Sequence, residues 1–120
     1  MQKFRALFEA YGADYDATME RFMKNETLYL RLLDMLFQDT NLQKLGDALD
    51  AGDLKSAFEA AHTLKGVVGN MGLTPLYNAV CALVEPLRAG NACDYMGMYQ
   101  VLQSEFYTVD ELRTRLKEAE

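Results

Sequence analysis

The one histidine of the chain, His62, lies among small and basic residues at helical spacing. Lys65 follows it by three positions, Gly66 by four and Gly69 by seven, so a helix would place them all on one face. A neutral imidazole is a good nucleophile near neutral pH, and its attack on a phosphoryl group would give a phosphohistidine whose N–P bond is readily transferred. The ammonium group of Lys65 would neutralise the phosphoryl oxygens.

Two glycines near this histidine lack a local folding role. A glycine inside a helix costs about 0.5–1 kcal/mol relative to alanine, and only Gly72, at the predicted helix end, has a use as a C-terminal cap. Gly66 and Gly69 therefore predict a shallow depression that another backbone or a bulky anionic group can approach closely.

The sequence contains no signature of nucleotide binding. No P-loop is recognisable, no acidic cluster suits Mg²⁺, and no glycine-rich loop follows a strand. We therefore expect a phosphocarrier and not an enzyme, with no metal site and no cofactor of its own. A partner would supply the metal and most of the electrostatic catalysis.

Apolar residues recur at helical spacing along the whole chain, which predicts an all-α fold. The clearest stripe belongs to a helix over residues 53–71, and its members are Leu54, Ala57, Ala61, Leu64, Val68 and Met71. Similar stripes predict five further helices: residues 2–11, a short helix capped by Asp14 or Asp16, one long helix over 25–51 with a kink near Asp39, residues 74–89 and residues 94–117.

Four substantial helices joined by short loops predict an antiparallel, up-down-up-down four-helix bundle over residues 25–120. The additional short N-terminal helices, in residues 1–24, are expected to lie against this bundle. A chain of 120 residues, half of them apolar, has room for one domain, so we expect residues 1–120 to form a single domain.

The composition excludes several classes of protein. Lys and Arg total 12 against 18 Asp and Glu, and the net charge of −6 argues against nucleic acid or an anionic membrane as a partner. The longest uninterrupted apolar run, residues 79–84, is too short to cross a bilayer, and the N-terminus lacks the apolar segment of a signal peptide. Two isolated cysteines suit a reducing compartment, so we expect a cytoplasmic protein.

The segment around the histidine resembles a known signature. Residues 61–72 read Ala-His-Thr-Leu-Lys-Gly-Val-Val-Gly-Asn-Met-Gly, which is similar to the A-H-x-L-K-G-x-x-x-x-x-G pattern of histidine-containing phosphotransfer (HPt) domains of two-component phosphorelays. In outline the resemblance covers the whole chain, because these domains are four-helix bundles with an extra N-terminal helix. It implies that His62 is the phosphoacceptor at Nε2, that Lys65 stabilises the phosphoryl group and that Gly66 lets a receiver domain dock.

The same resemblance implies partners. They are the receiver domain of a response regulator, which brings its own Mg²⁺, and a sensor or hybrid histidine kinase. The docking face of the family includes residues that flank the histidine and the first helix, and the corresponding residues here, besides Gly66, are Gly69, Phe58, Ala61, Met19 and Phe22. We expect the chain to be a monomer.

One position departs from the family pattern. Many members place a Gln or Glu on the next helix, facing the histidine, whereas that position here is Val84, with Asn78 and Glu85 as its nearest polar neighbours in sequence. Either another residue orients the imidazole, or that role is absent.

Two functional hypotheses follow. In the first, the chain is a phosphorelay intermediate: His62 accepts a phosphoryl group from a receiver-domain aspartate or a hybrid kinase and transfers it to the aspartate of another receiver domain. In the second, the chain is a helical adaptor that binds receiver domains without passing phosphate. A third, an enzyme with His62 as general base, is disfavoured because no carboxylate or hydroxyl nucleophile converges on the motif.

Overall fold

A computed structural model describes residues 3–119 of the chain. All regular secondary structure in this range is helical, and it comprises α1 (Lys3–Tyr11), α2 (Tyr15–Arg21), α3 (Glu26–Leu36), α4 (Asn41–Asp50), α5 (Leu54–Asn70), α6 (Thr74–Ala89) and α7 (Tyr95–Ala119). The predicted all-α helical bundle is confirmed. Gln2, the predicted first residue of the first helix, lies outside the described residues. Within these residues no helix has both the length and the apolar character that a membrane crossing requires.

Short polar residues and glycines define where the helices begin and end. Asn25 precedes α3 and Asp53 precedes α5, and their side chains accept hydrogen bonds from the backbone N–H groups of Leu28 (2.9 Å) and Ser56 (3.1 Å). At the end of α6, Gly90 adopts the left-handed conformation with φ of 70°, which costs glycine nothing. These signals fix the boundaries close to the positions that the sequence predicts.

The prediction of one long helix over residues 25–51 is wrong, because the chain forms α3 and α4 with a break between them. The backbone N–H groups of Phe37, Gln38 and Asp39 donate to carbonyls three residues earlier, so the last turn of α3 tightens and ends. The Asp39 carboxylate then accepts hydrogen bonds from the backbone N–H (2.7 Å) and the side-chain amide (2.8 Å) of Asn41. These local bonds compete with continuation of the helix.

One apolar core joins all seven helices. Its largest fully buried side chains are Phe8, Met19, Tyr29, Leu33, Leu45, Leu64, Leu73, Leu76, Leu83, Leu102, Leu116 and Val68. The N-terminal helices share this core with the others: the rings of Phe8 in α1 and Tyr29 in α3 meet edge to face, with centroids 5.4 Å apart. The single domain over residues 1–120 stays a prediction, and the shared core supports it.

Helices α5 and α6 contact each other in opposite order along the chain. Phe58, early in α5, lies beside Arg88, which is late in α6. Gly69, late in α5, lies beside Tyr77, which is early in α6. The antiparallel arrangement predicted for neighbouring helices requires this order for the pair, while the complete up-down-up-down order of the bundle stays a prediction.

Candidate functional site

Helix α5 carries His62 near its middle, with the imidazole exposed to solvent. Beyond the cap at its N-terminus, the helix is also anchored at its C-terminus. Arg21 of α2 donates a hydrogen bond to the carbonyl of Asn70 (2.7 Å), and the hydroxyl of Tyr29 in α3 donates one to the carbonyl of Met71 (2.7 Å). Since these bonds satisfy carbonyl groups that the helix end leaves free, His62 is held on a helix that is fixed at both ends.

The imidazole of His62 lies against the ring of Phe58, one turn earlier in α5. The two ring centroids are 5.6 Å apart and the ring planes are inclined by 33°. No hydrogen bond or ion pair joins His62 to another side chain among residues 3–119. Its nitrogens are therefore open to a partner, as a nucleophile requires.

Lys65 follows His62 by one turn of α5 and is partly buried. The ion pairs formed within residues 3–119 all involve other side chains. The positive charge of Lys65 is therefore not neutralised by the described part of the chain, and it is available to the oxygens of an incoming phosphoryl group.

The two glycines that follow His62 have different surroundings. A Cβ atom added at Gly69 would lie 2.9 Å from Cε1 of Tyr77, so a larger residue there would require the Tyr77 ring to move. A Cβ atom added at Gly66 would meet nothing within 4 Å. Gly69 thus has a packing role that sequence reasoning missed, whereas Gly66 leaves open space on the exposed side of the helix.

A shallow groove with a volume of about 440 Å³ lies beside Gly66, between α3 and α5. Its lining is mostly apolar and consists of Leu32, Met35, Leu36, Asp39, Gly66, Val67, Asn70 and Met71. Met35 is 57% exposed, although it follows the apolar stripe of α3. Sequence reasoning missed the groove because a surface residue at the edge of such a stripe has the same spacing as a core residue.

Three of the predicted docking residues belong to the core. Ala61, Met19 and Phe22 are at most 4% exposed, so a partner cannot reach their side chains and their predicted docking role is not supported. Ala61 faces the core from α5, Met19 from α2, and Phe22 from the C-cap position directly after α2. Phe58 and Gly69, in contrast, are partly exposed, and the Phe58 ring lies against the imidazole.

Val84, at the position where family members often carry a polar residue, is fully buried. Its neighbour Glu85 is exposed, and its carboxylate pairs with the guanidinium of Arg88 at 3.2 Å. Asn78 is exposed as well, and within residues 3–119 no hydrogen bond joins either polar residue to His62. The imidazole is therefore not oriented by a polar side chain of α6.

The donor groups of residues 3–119 do not form a metal centre: no three or more His, Cys, Asp or Glu side chains are grouped so that they could hold an ion. Cys81 and Cys93 are free thiols, the first partly buried and the second exposed. The site thus consists of an exposed imidazole, an unneutralised ammonium group and an open glycine beside an apolar groove.

Comparison of the sequence with models of known protein families matches the Hpt domain over residues 31–119, a range that includes the whole site on α5. The chain belongs to the Hpt domain family. Hpt domains function in phosphotransfer in two-component signalling, as phosphocarriers that interact with receiver domains and histidine kinases. Searches of curated proteins and of solved structures gave no match.

The Hpt match begins within α3, so α1 and α2 lie outside the matched region. These two helices nevertheless pack into the same core as the Hpt helices, through Phe8 and Met19 among others. Arg21 of α2 also holds the end of the helix that carries the histidine. Helices α1 and α2 therefore share the core of the matched region, and α2 contacts the end of the helix that carries the histidine.

Proposed function

We propose that the protein is a phosphorelay intermediate. His62 accepts a phosphoryl group from the aspartyl phosphate of a receiver domain, or from a hybrid kinase, and passes it to the aspartate of another receiver domain. The observation that carries this proposal is the exposed imidazole of a member of the Hpt family, without a hydrogen bond to another side chain in residues 3–119, on an anchored helix. Lys65 and the open side of Gly66 flank it on the same helix.

The acceptance step is a direct displacement at phosphorus. A lone pair on the imidazole, on Nε2 as the family resemblance implies, attacks the phosphorus atom of the aspartyl phosphate. The N–P bond forms while the P–O bond to the aspartate breaks, and the aspartate leaves as a carboxylate. The proton on the other ring nitrogen stays in place, and the delivery step is the same displacement in reverse.

The other site residues serve binding and charge. Lys65 neutralises the phosphoryl oxygens during the displacement, and Mg²⁺ is supplied by the receiver domain. Gly66 and the groove that contains Met35 admit the receiver, with Phe58 at the opposite side of the histidine. We expect a transient interface toward the low end of the usual range, about 1,200 Å².

The monomeric state and the cytoplasmic location are part of the same proposal. The acidic net charge of −6 and the two free cysteines support it. Light scattering at working concentration tests the monomeric state, and a stable dimer would contradict it.

Phosphorylation by phosphoramidate, a small-molecule donor for histidines, tests the acceptor directly. Because the chain has a single histidine, an acid-labile phosphoryl group identifies His62. We expect the intact mass to increase by one phosphoryl group at neutral pH, to return to its original value after acid treatment, and to stay unchanged in His62→Gln. A folded wild-type protein that gains no phosphoryl group contradicts the proposal.

A receiver domain with Mg²⁺ then separates the carrier from the adaptor. A carrier that is phosphorylated beforehand transfers its phosphoryl group to the receiver after the two proteins are mixed. An adaptor binds the receiver without transferring a phosphoryl group. His62→Gln serves as the matched control, since it removes the acceptor and leaves the groove and Gly66 in place. Binding by both proteins without transfer from the wild type would favour the adaptor.

A further inference from the structure

A column of side chains leads from α6 to the imidazole of His62. The ring of Phe58 stacks at a tilt against His62, with 5.6 Å between the centroids. On α6, the guanidinium of Arg88 lies 5.7 Å from the centroid of the Phe58 ring. Glu85 accepts two hydrogen bonds from this guanidinium, at 3.2 and 3.3 Å. The column thus runs from Glu85 through Arg88 and Phe58 to His62.

This column supplies a contact that the imidazole otherwise lacks. His62 has no hydrogen bond to a side chain within residues 3–119, and Val84, where a polar orienting residue could stand, is buried in the core. Aromatic stacking favours the paired arrangement of two rings by about two- to tenfold in population. A guanidinium within about 6 Å of a ring centroid is attracted to the ring as well, so Arg88 restricts Phe58 in turn.

We propose that Phe58, held by Arg88, is a positioning residue that keeps the imidazole of His62 in one orientation for attack on phosphorus. The proposal rests on the proposed function of His62 and extends it to a residue outside the signature. The stack occupies one side of the imidazole, toward the start of α5, and leaves the side toward Lys65 and Gly66 for the phosphoryl group. Phe58 acts here through the histidine and does not touch the reacting atoms.

Nuclear magnetic resonance tests the stack without any phosphate. The ring protons of His62 give the only histidine signals of the chain, and the ring current of Phe58 displaces them. We expect Phe58→Leu to move these signals toward the positions of free histidine and Phe58→Tyr to retain the displacement. Tyr107→Leu is the matched control, because it removes an exposed aromatic side chain from α7.

The phosphorylation rate with phosphoramidate tests the positioning role in the same folded variants. We expect Phe58→Leu to slow the reaction about three- to tenfold, which corresponds to about 0.6–1.4 kcal/mol at ~1.36 kcal/mol per factor of ten. Phe58→Tyr should restore the wild-type rate. Arg88→Gln should slow the reaction by about twofold, since it loosens the Phe58 ring and leaves the stack itself in place.

Each result decides the proposal. A folded Phe58→Leu variant that reacts at the wild-type rate or faster overturns it, and so do His62 ring signals that are the same in both proteins. The proposal is supported if the His62 ring signals of the wild type are displaced relative to those of Phe58→Leu, if Phe58→Leu reacts more slowly, and if Phe58→Tyr reacts at the wild-type rate. A wild-type chain that is never phosphorylated overturns the proposed function, and with it the positioning role; this failure is recognised because all variants stay unlabelled even where the ring signals show the stack.

Discussion

Gly66 and Gly69 lie on the same helix, but the reasons for a glycine at the two positions differ. In a helix interior, alanine is more stable than glycine by about 0.5–1 kcal/mol. We expect Gly66→Ala to gain this free energy of unfolding, since its Cβ meets open space. Gly69→Ala should not gain it, because its Cβ would lie 2.9 Å from the Tyr77 ring, which must move. Urea unfolding followed by circular dichroism measures the free energy of unfolding of both variants. Equal changes would show that the contact with Tyr77 does not limit which residue fits at position 69.

Lys65 is expected to act on the phosphoryl group and not on the fold. Hydrogen bonds to a charged group contribute about 1.5–3 kcal/mol, so Lys65→Gln should slow phosphorylation of His62 by about tenfold or more. The urea midpoint should stay unchanged, because the described part of the chain gives Lys65 no ion pair to lose.

Lys55→Gln is the matched control for this substitution, since Lys55 is an exposed lysine of the same helix, two turns before His62. Stopped samples analysed by intact mass give the rates of the three proteins. A similar slowing by both substitutions would indicate that the reaction depends on the total positive charge of the helix and not on the position of Lys65 next to His62.

The site could be predicted from the sequence where it depends on one helix alone. His62, Lys65 and Gly66 share a face through helical spacing, which the sequence states directly. The burial of Ala61 and Met19, which leaves their predicted docking role without support, depends on which way α5 and α2 turn toward the other helices. The groove with the exposed side chain of Met35 is formed by two helices, so no single segment of sequence contains it.

At the scale of the element, the cap of α5 makes the helix that carries the site sensitive to acid. The hydroxyl of Ser56 donates a hydrogen bond to the Asp53 carboxylate at 2.7 Å, and its backbone N–H donates another at 3.1 Å. These bonds hold the pKa of Asp53 below its ordinary value of 3.8. The stabilisation is therefore fully present above that value and is lost as the pH falls through the lower pKa of the folded state.

Asp53→Asn separates this titration from the cap itself, because asparagine keeps a hydrogen-bond acceptor and does not ionise. We expect the wild type to have the higher melting temperature at pH 7 and the difference to shrink as the pH falls below about 4. Thermal unfolding over this pH range gives the difference directly. A gap that is constant with pH would mean that the charge of Asp53 does not stabilise α5.

Among the elements, helix boundaries marked by caps were predictable, whereas the interruption near Asp39 was predicted as a kink and is a complete break between α3 and α4. The apolar stripe continues from Leu36 to Leu45 across the break, and this continuity is what periodicity detects. The break itself comes from Asp39, whose carboxylate bonds the backbone and side chain of Asn41. A single local hydrogen-bonding choice of this kind leaves no trace in the apolar pattern.

At the scale of the whole molecule, the N-terminal helices and the Hpt helices are expected to unfold together. Phe8 is fully buried against Tyr29, and replacing a buried phenylalanine by alanine costs about 3–5 kcal/mol. Phe8→Ala should therefore lower the free energy of unfolding of the whole chain by about this amount, in one transition. Val101→Ala, at an exposed position of α7, should change it by less than about 0.5 kcal/mol.

Circular dichroism and tyrosine fluorescence, in a chain without tryptophan, provide two independent probes of this unfolding. Coincident curves for the wild type and for Phe8→Ala are the expected result. An early transition seen by one of the two probes would instead show that the chain does not unfold as a single cooperative unit.

The anchoring of α5 at both ends has a consequence for how a partner distinguishes the phosphorylated from the unphosphorylated protein. A helix fixed by a cap at one end and by Arg21 and Tyr29 at the other has little freedom to bend or shift when a group is added at its middle. On our proposal, the loaded and the empty protein then have the same shape and differ in the charge at one point of a surface that is already acidic. A receiver domain would then distinguish the phosphorylated from the unphosphorylated protein by electrostatic potential and not by a change of conformation.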